Sequence, residues 1–190
     1  MSEIILASAS PRRKKLLKNL GLKFKIVPSS FTEDFSLKIP AKKLARHLSA
    51  GKAKVVAKNY PNGTVIGADT IVVHQNKILG KPHTKKEAAR MLKILSGKMH
   101  TVITGYTIIN LKNRKQVSKA VSARVKFRKL SECEIQKYVK NGEPLDKAGA
   151  YAIQENAMGF VEKVVGDYTT IIGLPLPALI KDLKKFGVKI

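Results

Sequence analysis

Three charged side chains stand at positions where folding alone would not favour them. Arg12 and Arg13 fall in the first turn of a predicted helix, although the helix dipole favours cations at the opposite end. Asp69 interrupts the strand-like run 64–73, where a charge is costly unless it is paired, bound to metal or at a strand end. Arginine binds phosphate oxygens with two parallel hydrogen bonds, and a carboxylate binds a metal ion or activates water. These groups therefore suit hydrolysis of a phosphoric anhydride. Two plainer explanations stay open: a solvated basic turn, and an Asp at an exposed strand or bulge position.

The elements predicted around the two arginines form an anion site. Residues 4–7 are typical of a buried strand, Ser10 suits the N-cap position, and Pro11 suits the first helical position. The free N–H groups and the dipole of such a helix N-terminus attract anions. A bound phosphate group would therefore resolve the unfavourable placement of Arg12 and Arg13.

Hydrophobic periodicity and turn signals predict an alternation of helices and strands along the rest of the chain. Strands are predicted over 23–27, 64–73, 78–79, 99–111 and 116–127, the last two as an antiparallel pair, with shorter strand or loop segments at 149–153, 160–165 and 169–172. Helices are predicted over 11–20, 40–58, 84–97, 131–140 and from Pro175 or Pro177 to 187, with capping boxes at 84–87 and 131–134. We expect one α/β domain over 1–190, a mixed sheet flanked by helices, with a cleft between two lobes.

Composition limits the class of protein. With 190 residues, 44% of them hydrophobic, the chain is long enough for a real core. It has neither a signal peptide pattern nor an apolar run of the roughly 18 residues that a membrane helix needs, so we expect a cytoplasmic protein without a membrane partner. Its single Cys133 excludes an internal disulfide and is expected to be buried, and its four scattered histidines predict no zinc site.

The net charge of +24 predicts attraction to polyanions. Because the lysines are spread along the chain, this charge by itself does not indicate a nucleic-acid site. Motifs for other chemistries are missing: no Walker A loop, no GxGxxG after a strand and no GxSxG elbow occurs in the sequence.

Five ordered segments resemble the signatures of the Maf family of nucleoside triphosphate pyrophosphatases. They are residues 6–17, 65–73 followed by 80–82, 95–105, 142–154, and then 160–162, 166–168 and 172–176. The resemblance covers nearly the whole chain. It implies a fold like that of inosine triphosphatase, a homodimer, and hydrolysis of a nucleoside triphosphate to the monophosphate and pyrophosphate with a divalent cation, Mg²⁺ or Mn²⁺.

The resemblance also implies roles for particular residues. Asp69 matches the family's proton acceptor, which would activate water or hold the metal that does so. Because a carboxylate with an ordinary pKa near 4 is a weak base, we expect metal assistance, with Glu33 as a second candidate metal ligand. The residues implied to bind phosphates are Ser8, Arg12 and Arg13, and those implied to neutralise the pyrophosphate leaving group are Lys52 and Lys81.

The finer resemblance is to the branch of the family that hydrolyses dTTP and UTP. Arg12, Thr70 and Gln154 match that branch, and a Gln side chain offers a pyrimidine both a donor and an acceptor. Gln154 is followed by residues 155–158, Glu-Asn-Ala-Met, in place of the usual glycine-rich stretch. The alternatives are a 7-methyl-GTP or broader-range pyrophosphatase, and a basic nucleic-acid-binding protein without catalysis.

Plainer explanations accompany several of these residues. Lys52 could be one more surface lysine, and Asp146 with Lys147 could form only a salt bridge. We expect His100 to be a packed or surface residue rather than a catalytic one. Tyr151 and Phe160 are expected in the core rather than stacked on a base.

Overall fold

The computed structural model describes residues 3–154 and 156–190. Within them, seven strands form one mixed sheet in the order β2-β1-β3-β5-β6-β7, with β4 paired to β3. The strands are β1 Ile4–Leu6, β2 Lys25–Ile26, β3 Thr64–His74, β4 Lys77–Leu79, β5 Met99–Asn110, β6 Lys115–Phe127 and β7 Val161–Val165. The helices are α1 Pro11–Asn19, α2 Ala41–Ala57, α3 Lys85–Leu95, α4 Glu132–Lys140, α5 Tyr168–Ile172 and α6 Leu176–Lys185. This architecture confirms the predicted α/β class.

The chain divides into two compact units. The first contains the residues up to Asp69, Thr104–Val121 and Gly173–Ile190, and the second contains Thr70–Ile103 and Ser122–Ile172. The predicted cleft between lobes stays a prediction. No helix in the described part of the chain is both long enough and apolar enough to span a bilayer.

In the first unit, the parallel pairing of β1 with β3 places two chain segments at one edge of the sheet. Ile5 lies opposite Val65 and Leu6 opposite Ile66, and the N–H of Ala7 continues the ladder to the Ile66 carbonyl at 2.8 Å. Because the carboxyl ends of parallel strands share an edge, the loop after β1 runs beside the middle of β3. The start of α1 follows prediction, since the Ser10 hydroxyl accepts from the Arg13 N–H at 3.5 Å.

Helix α2 packs closely on the sheet because β3 has a glycine beneath it. A methyl group at Gly67 would lie 2.5 Å from the carbonyl oxygen of Ser49 and 2.8 Å from the backbone nitrogen of Ala53, far inside van der Waals contact. The apolar side of α2 is buried, and Ala53 and Val56 belong to a core cluster with Ile5 and Val65. The register of α2 on β3 is therefore set by backbone contact.

The second unit is built around buried aromatic rings. The ring of His100 meets Phe127 and Tyr151 edge-on, with centroids 5.0 and 5.4 Å away, and its Nε2 lies 2.7 Å from the Tyr151 hydroxyl. Phe127 also packs edge-on against Phe160. His100, Tyr151 and Phe160 are all buried, which confirms their prediction as packed core residues.

Three local predictions are wrong. Residues 169–172 are helical in α5 rather than a strand or loop, because the Asp167 carboxylate accepts from the N–H of Thr169 and the hydroxyl of Thr170. At α3, Glu87 accepts from the His83 N–H instead of the Thr84 N–H, so no reciprocal capping box forms. Cys133 is exposed rather than buried, since the apolar face of α4 consists of Ile135, Tyr138 and Val139.

Candidate active site

A cluster of three charged side chains lies in the first unit. Asp69 is 4% exposed in the middle of β3, and its Oδ1 lies 2.5 Å from Nζ of Lys52 on α2. The same Nζ lies 2.7 Å from Oε1 of Glu33. Lys52 is thus an ion-pair partner of two carboxylates, with a side chain that is 13% exposed, and the interpretation of it as one more surface lysine is wrong.

Two glycine contacts bring these groups together. The close approach of α2 to β3 at Gly67 places Lys52 within reach of Asp69. The ring of Phe31 packs directly on Gly51, where even a methyl group would overlap it, and meets His47 of the same helix edge-on at 6.3 Å. Because Phe31 precedes Glu33 by two residues, this contact anchors the loop that presents Glu33 to Lys52.

The environment of Asp69 strengthens it as a base. Burial raises the pKa of Asp69 above its usual value, against the opposing charges of Lys52 and Arg13, and the negative charge of Glu33 also raises it. Its Oδ2 atom is buried without a hydrogen-bond partner among the described residues. A carboxylate in such a site accepts a proton more readily than a solvated Asp does.

Arg13 is held in place by oxygen acceptors at the carboxyl edge of β1. Its Nη1 donates to the Ser8 hydroxyl at 3.0 Å and its Nε to the Gly173 carbonyl at 2.8 Å. Burial lowers the pKa of Arg13, while Asp69 and Glu33 raise it, and a guanidinium stays charged in either case. Since Arg13 is half-buried and hydrogen-bonded, the alternative of a wholly solvated basic turn is wrong for this residue.

The remaining predicted site residues are distributed as follows. Arg12 is half-buried beside Arg13 on α1, and its charge acts on Arg13. Thr70, Lys81 and Gln154 belong to the second unit, Thr70 half-buried and the other two exposed. Along a strand, successive side chains alternate between faces, so Thr70 and Asp69 point to opposite faces of β3. Glu155, the first residue after Gln154, lies outside the described residues.

The salt bridge predicted in the fourth segment is present. Nζ of Lys147 lies 2.8 Å from Oδ1 of Asp146 and 2.6 Å from the carbonyl oxygen of Glu143. Lys147 is buried, so the pair stabilises the turn between two short 3₁₀ helices, Glu143–Asp146 and Ala148–Ala150.

The charged cluster fits a divalent cation of the Mg²⁺ type. In the described part of the chain, no group of three or more His, Cys, Asp or Glu residues could hold a metal. Mg²⁺ commonly needs only one or two carboxylates, because water and substrate phosphates complete its octahedral shell. Glu33 and Asp69 supply two carboxylates, and within the described ranges Oδ2 of Asp69 has no hydrogen-bond partner.

Sequence reasoning missed two contributors to this geometry. Gly173 was identified only as part of a matching segment, yet its carbonyl orients Arg13; a main-chain acceptor 160 residues away leaves no sequence signal. Phe31 was also missed. The one available hint was a glycine, Gly51, inside an otherwise regular helix, where glycine is unfavourable unless something packs closely on it.

Comparison with known proteins gives consistent matches over the whole chain. A sequence model of the family described as "Maf-like protein" matches residues 3–186. A dTTP/UTP pyrophosphatase of Methanosarcina barkeri (strain Fusaro / DSM 804) is 48% identical over 191 residues, which cover 100% of this chain and 97% of that protein. A dTTP/UTP pyrophosphatase of Geobacillus sp. (strain WCH70) is 44% identical over 98% of this chain and 100% of its own length.

Among solved structures, a HAM1 protein from Coxiella burnetii has a similar fold. It aligns with a TM-score of 0.52 over 97% of this chain and 100% of its own, at 14% sequence identity. At that identity the likeness concerns the fold alone, and it agrees with the fold expected of an inosine-triphosphatase-like protein.

Proposed function

The chain belongs to the Maf family, and we propose that it is a nucleoside triphosphate pyrophosphatase that hydrolyses dTTP and UTP to the monophosphate and pyrophosphate. The observation that carries this proposal is the buried carboxylate of Asp69 within a cluster of cations. It is supported by full-length relatives, 44–48% identical, that are named dTTP/UTP pyrophosphatases.

In the reaction we propose, Asp69 accepts a proton from the attacking water. The water oxygen bonds to the α-phosphorus, the bond from that phosphorus to the α–β bridging oxygen breaks, and pyrophosphate leaves with the bonding electrons. The raised pKa of Asp69 supports its use as the base. Catalysis of phosphoryl transfer depends otherwise on positioning and on charge neutralisation.

Cations around Asp69 bind the phosphates in this proposal. Arg13 is oriented for this task by Ser8 and by the Gly173 carbonyl, so that Ser8 acts through Arg13. Arg12 extends the positive charge at the start of α1. Lys52 and Lys81 neutralise the departing pyrophosphate; for Lys81 this rests on the resemblance alone.

A divalent cation, Mg²⁺ or Mn²⁺, would be held by Glu33 and Asp69. When bound it supplies positive charge for the phosphate oxygens and lowers the pKa of a coordinated water. One oxygen of each carboxylate lies within 2.7 Å of the same Nζ atom of Lys52, which supports the assignment.

We assign selection of the pyrimidine base to Arg12, Thr70 and Gln154. For Thr70, whose side chain points to the opposite face of β3 from that of Asp69, the assignment rests on the resemblance alone. An exposed Gln side chain has a donor and an acceptor free to turn toward a uracil or thymine edge. We also propose that the protein works in the cytoplasm as a homodimer, and that its +24 charge steers anionic nucleotides rather than serving a nucleic-acid site.

The test is pyrophosphate release from dTTP, UTP, CTP, dITP and 7-methyl-GTP with Mg²⁺ or Mn²⁺, with Asp69→Asn as the control for contaminating phosphatases. We expect release from dTTP and UTP that persists at moderate salt and is missing in the variant. Release confined to 7-methyl-GTP or a purine would overturn the substrate assignment. Absence of release from every nucleotide, together with DNA binding that weakens steeply with salt, would favour the non-catalytic alternative.

A further inference from the structure

We propose that Lys52 holds the place of the divalent cation between Glu33 and Asp69, and that it leaves these carboxylates for the nucleotide phosphates when the cation binds. The inference rests on the proposed function, since it concerns the same site. It adds a second task for Lys52 and a physical link between metal binding and substrate binding.

The first support is the position of the ammonium group. Nζ of Lys52 lies 2.5 Å from Oδ1 of Asp69 and 2.7 Å from Oε1 of Glu33. These two oxygens, which belong to a strand and to a loop, therefore converge on one point. A divalent cation held by the same two carboxylates would supply the positive charge that Nζ now supplies between them.

The second support is that the ion pair leaves one carboxylate oxygen of Asp69 without a hydrogen bond from the described residues. A buried salt bridge stabilises a fold only when further hydrogen bonds satisfy its remaining polar atoms. Here Oδ2 of Asp69 is buried and has no hydrogen-bond partner among the described residues. By contrast, the buried Asp182 of the same unit is bonded on both carboxylate oxygens, by Tyr106 and Lys119 among others. A carboxylate with a purely structural role, such as Asp182, is hydrogen-bonded on both oxygens, whereas Asp69 is bonded on one.

The third support is the chemistry of lysine. Its ammonium group is a compact charge on a flexible stem and, unlike a guanidinium, it is not bound to one planar geometry. Lys52 lies on α2, whose backbone is fixed against β3 at Gly67, so that its side chain can move while its Cα stays in place. Without any cation, Glu33 and Asp69 would repel each other across a poorly solvated site.

A direct consequence is competition between Lys52 and the metal. An ammonium group and a divalent ion cannot share the same few ångströms without strong repulsion, so we expect weak metal binding in the absence of nucleotide. Nucleotide phosphates offer Lys52 a new partner and remove this repulsion. By linkage, nucleotide must then tighten metal binding, and the metal must tighten nucleotide binding by the same factor.

The test measures Mn²⁺ binding to the full chain without nucleotide, from the electron paramagnetic resonance signal of free Mn²⁺. Lys52→Met removes the competing charge, and Lys54→Met, on the exposed face of the same helix, removes one positive charge elsewhere. We expect Lys52→Met to bind Mn²⁺ at least about tenfold more tightly than wild type, and Lys54→Met to stay within about twofold. The gain should vanish in Lys52→Met with Asp69→Asn.

Lys52→Gln provides a neutral, polar alternative if the Met variant does not fold, and circular dichroism checks both. A second readout is the rise in Tm on adding Mn²⁺, which linkage predicts to be larger for the Lys52 variant than for wild type. In wild type, a non-hydrolysable dTTP analogue should increase Mn²⁺ affinity more than it does in Lys52→Met.

Equal Mn²⁺ affinity in wild type and folded Lys52 variants would overturn the inference, as would no Mn²⁺ binding by any of them. Neither result touches the proposed function, which is judged by pyrophosphate release from wild type. Conversely, tighter Mn²⁺ binding by the Lys52 variants supports the exchange even where the nucleotide panel returns a different substrate.

Discussion

Replacing Asp69 by Asn separates the catalytic use of this carboxylate from its effect on stability. The substitution preserves shape and leaves an oxygen that can accept from Lys52, which also keeps Glu33 as a partner. Loss of a general base lowers turnover by roughly 10²- to 10⁴-fold. Most substitutions at buried positions destabilise a protein, but here we expect the opposite.

The stability effect follows from the sign of the pKa shift. Burial raises the pKa of Asp69 above the value in the unfolded chain, so the folded protein binds this proton more tightly. Between the two pKa values, stability therefore falls as pH rises, and above the folded pKa the full cost of the buried charge remains. Asn carries no charge, so the variant escapes this cost at neutral pH.

We expect Asp69→Asn to be more stable than wild type at pH 7 by on the order of 1 kcal/mol, because Asn removes the cost of burying a charge while Lys52 keeps Glu33 as its ion-pair partner. For a chain of this size that corresponds to a Tm increase of about 2–4 °C. The difference should shrink as the pH falls below the raised pKa of the folded-state Asp69, because the wild-type side chain then becomes neutral as well.

Urea denaturation of both proteins at pH 4.5 and pH 7, beside pyrophosphate release from dTTP, measures the two effects independently. Glu3→Gln is the control, because Glu3 is an exposed carboxylate of the first unit outside the site, and we expect it to change neither quantity appreciably. A variant at position 69 that is less stable at pH 7, with a difference independent of pH, would refute the reasoning. It would mean that Asp69 stabilises the fold as an ordinary ion-pair partner.

Three further predictions test packing and hydrogen bonds within the first unit. Gly67→Ala pushes a methyl against the Ser49 carbonyl, 2.5 Å away; urea denaturation should show a loss of about 1–3 kcal/mol, and kcat should fall because α2 and Lys52 are displaced. Ser8→Ala removes one acceptor of Arg13 and should raise KM for dTTP severalfold, by about 1 kcal/mol of binding, whereas an unchanged KM would leave Ser8 without a positioning task. Asp182 has a pKa lowered to about 2 by hydrogen bonds that together outweigh its burial. Asp182→Asn should therefore cost about 1–3 kcal/mol at pH 7, and because the wild-type contribution is lost as pH falls through the folded pKa, the two denaturation curves should approach each other at pH 3.

The parts of the fold that sequence predicts well are those with local causes. Ser10 and Pro11 predict the start of α1, and the reciprocal capping box of Ser131 and Glu134 begins α4 as predicted. The mistake at 169–172 has a local origin too. Four β-branched residues favour a strand, but the side chain of Asp167 caps the next turn and makes a helix of it.

The candidate site was harder to predict, because its geometry depends on contacts between distant segments. The resemblance identifies Glu33 and Asp69 as candidate metal ligands and Lys52 as a group that neutralises pyrophosphate, without indicating that the three side chains meet. Nothing in the sequence places one ammonium group between two carboxylates, or seats Phe31 on a glycine of α2 so that Glu33 reaches it. These contacts need the tertiary approach of a loop, a helix and a strand.

These tertiary contacts also change the basicity of Asp69. From the sequence, Asp69 is a weak base because a free Asp has a pKa near 4, and metal assistance had to compensate. In the structure, burial raises the pKa of Asp69, and the same burial makes its charge costly for the fold. Lys52 reduces that cost by contributing a cation at Oδ1, while Oδ2 has no hydrogen-bond partner among the residues that the structure describes. A stronger counter-charge, such as a guanidinium that donates to both carboxylate oxygens, would lower the pKa of Asp69 and make it a weaker base. A single lysine offsets part of the cost of the buried charge and leaves the carboxylate basic enough to accept a proton. Replacement of Lys52 by Arg should therefore lower the pKa of Asp69 and reduce kcat for pyrophosphate release from dTTP.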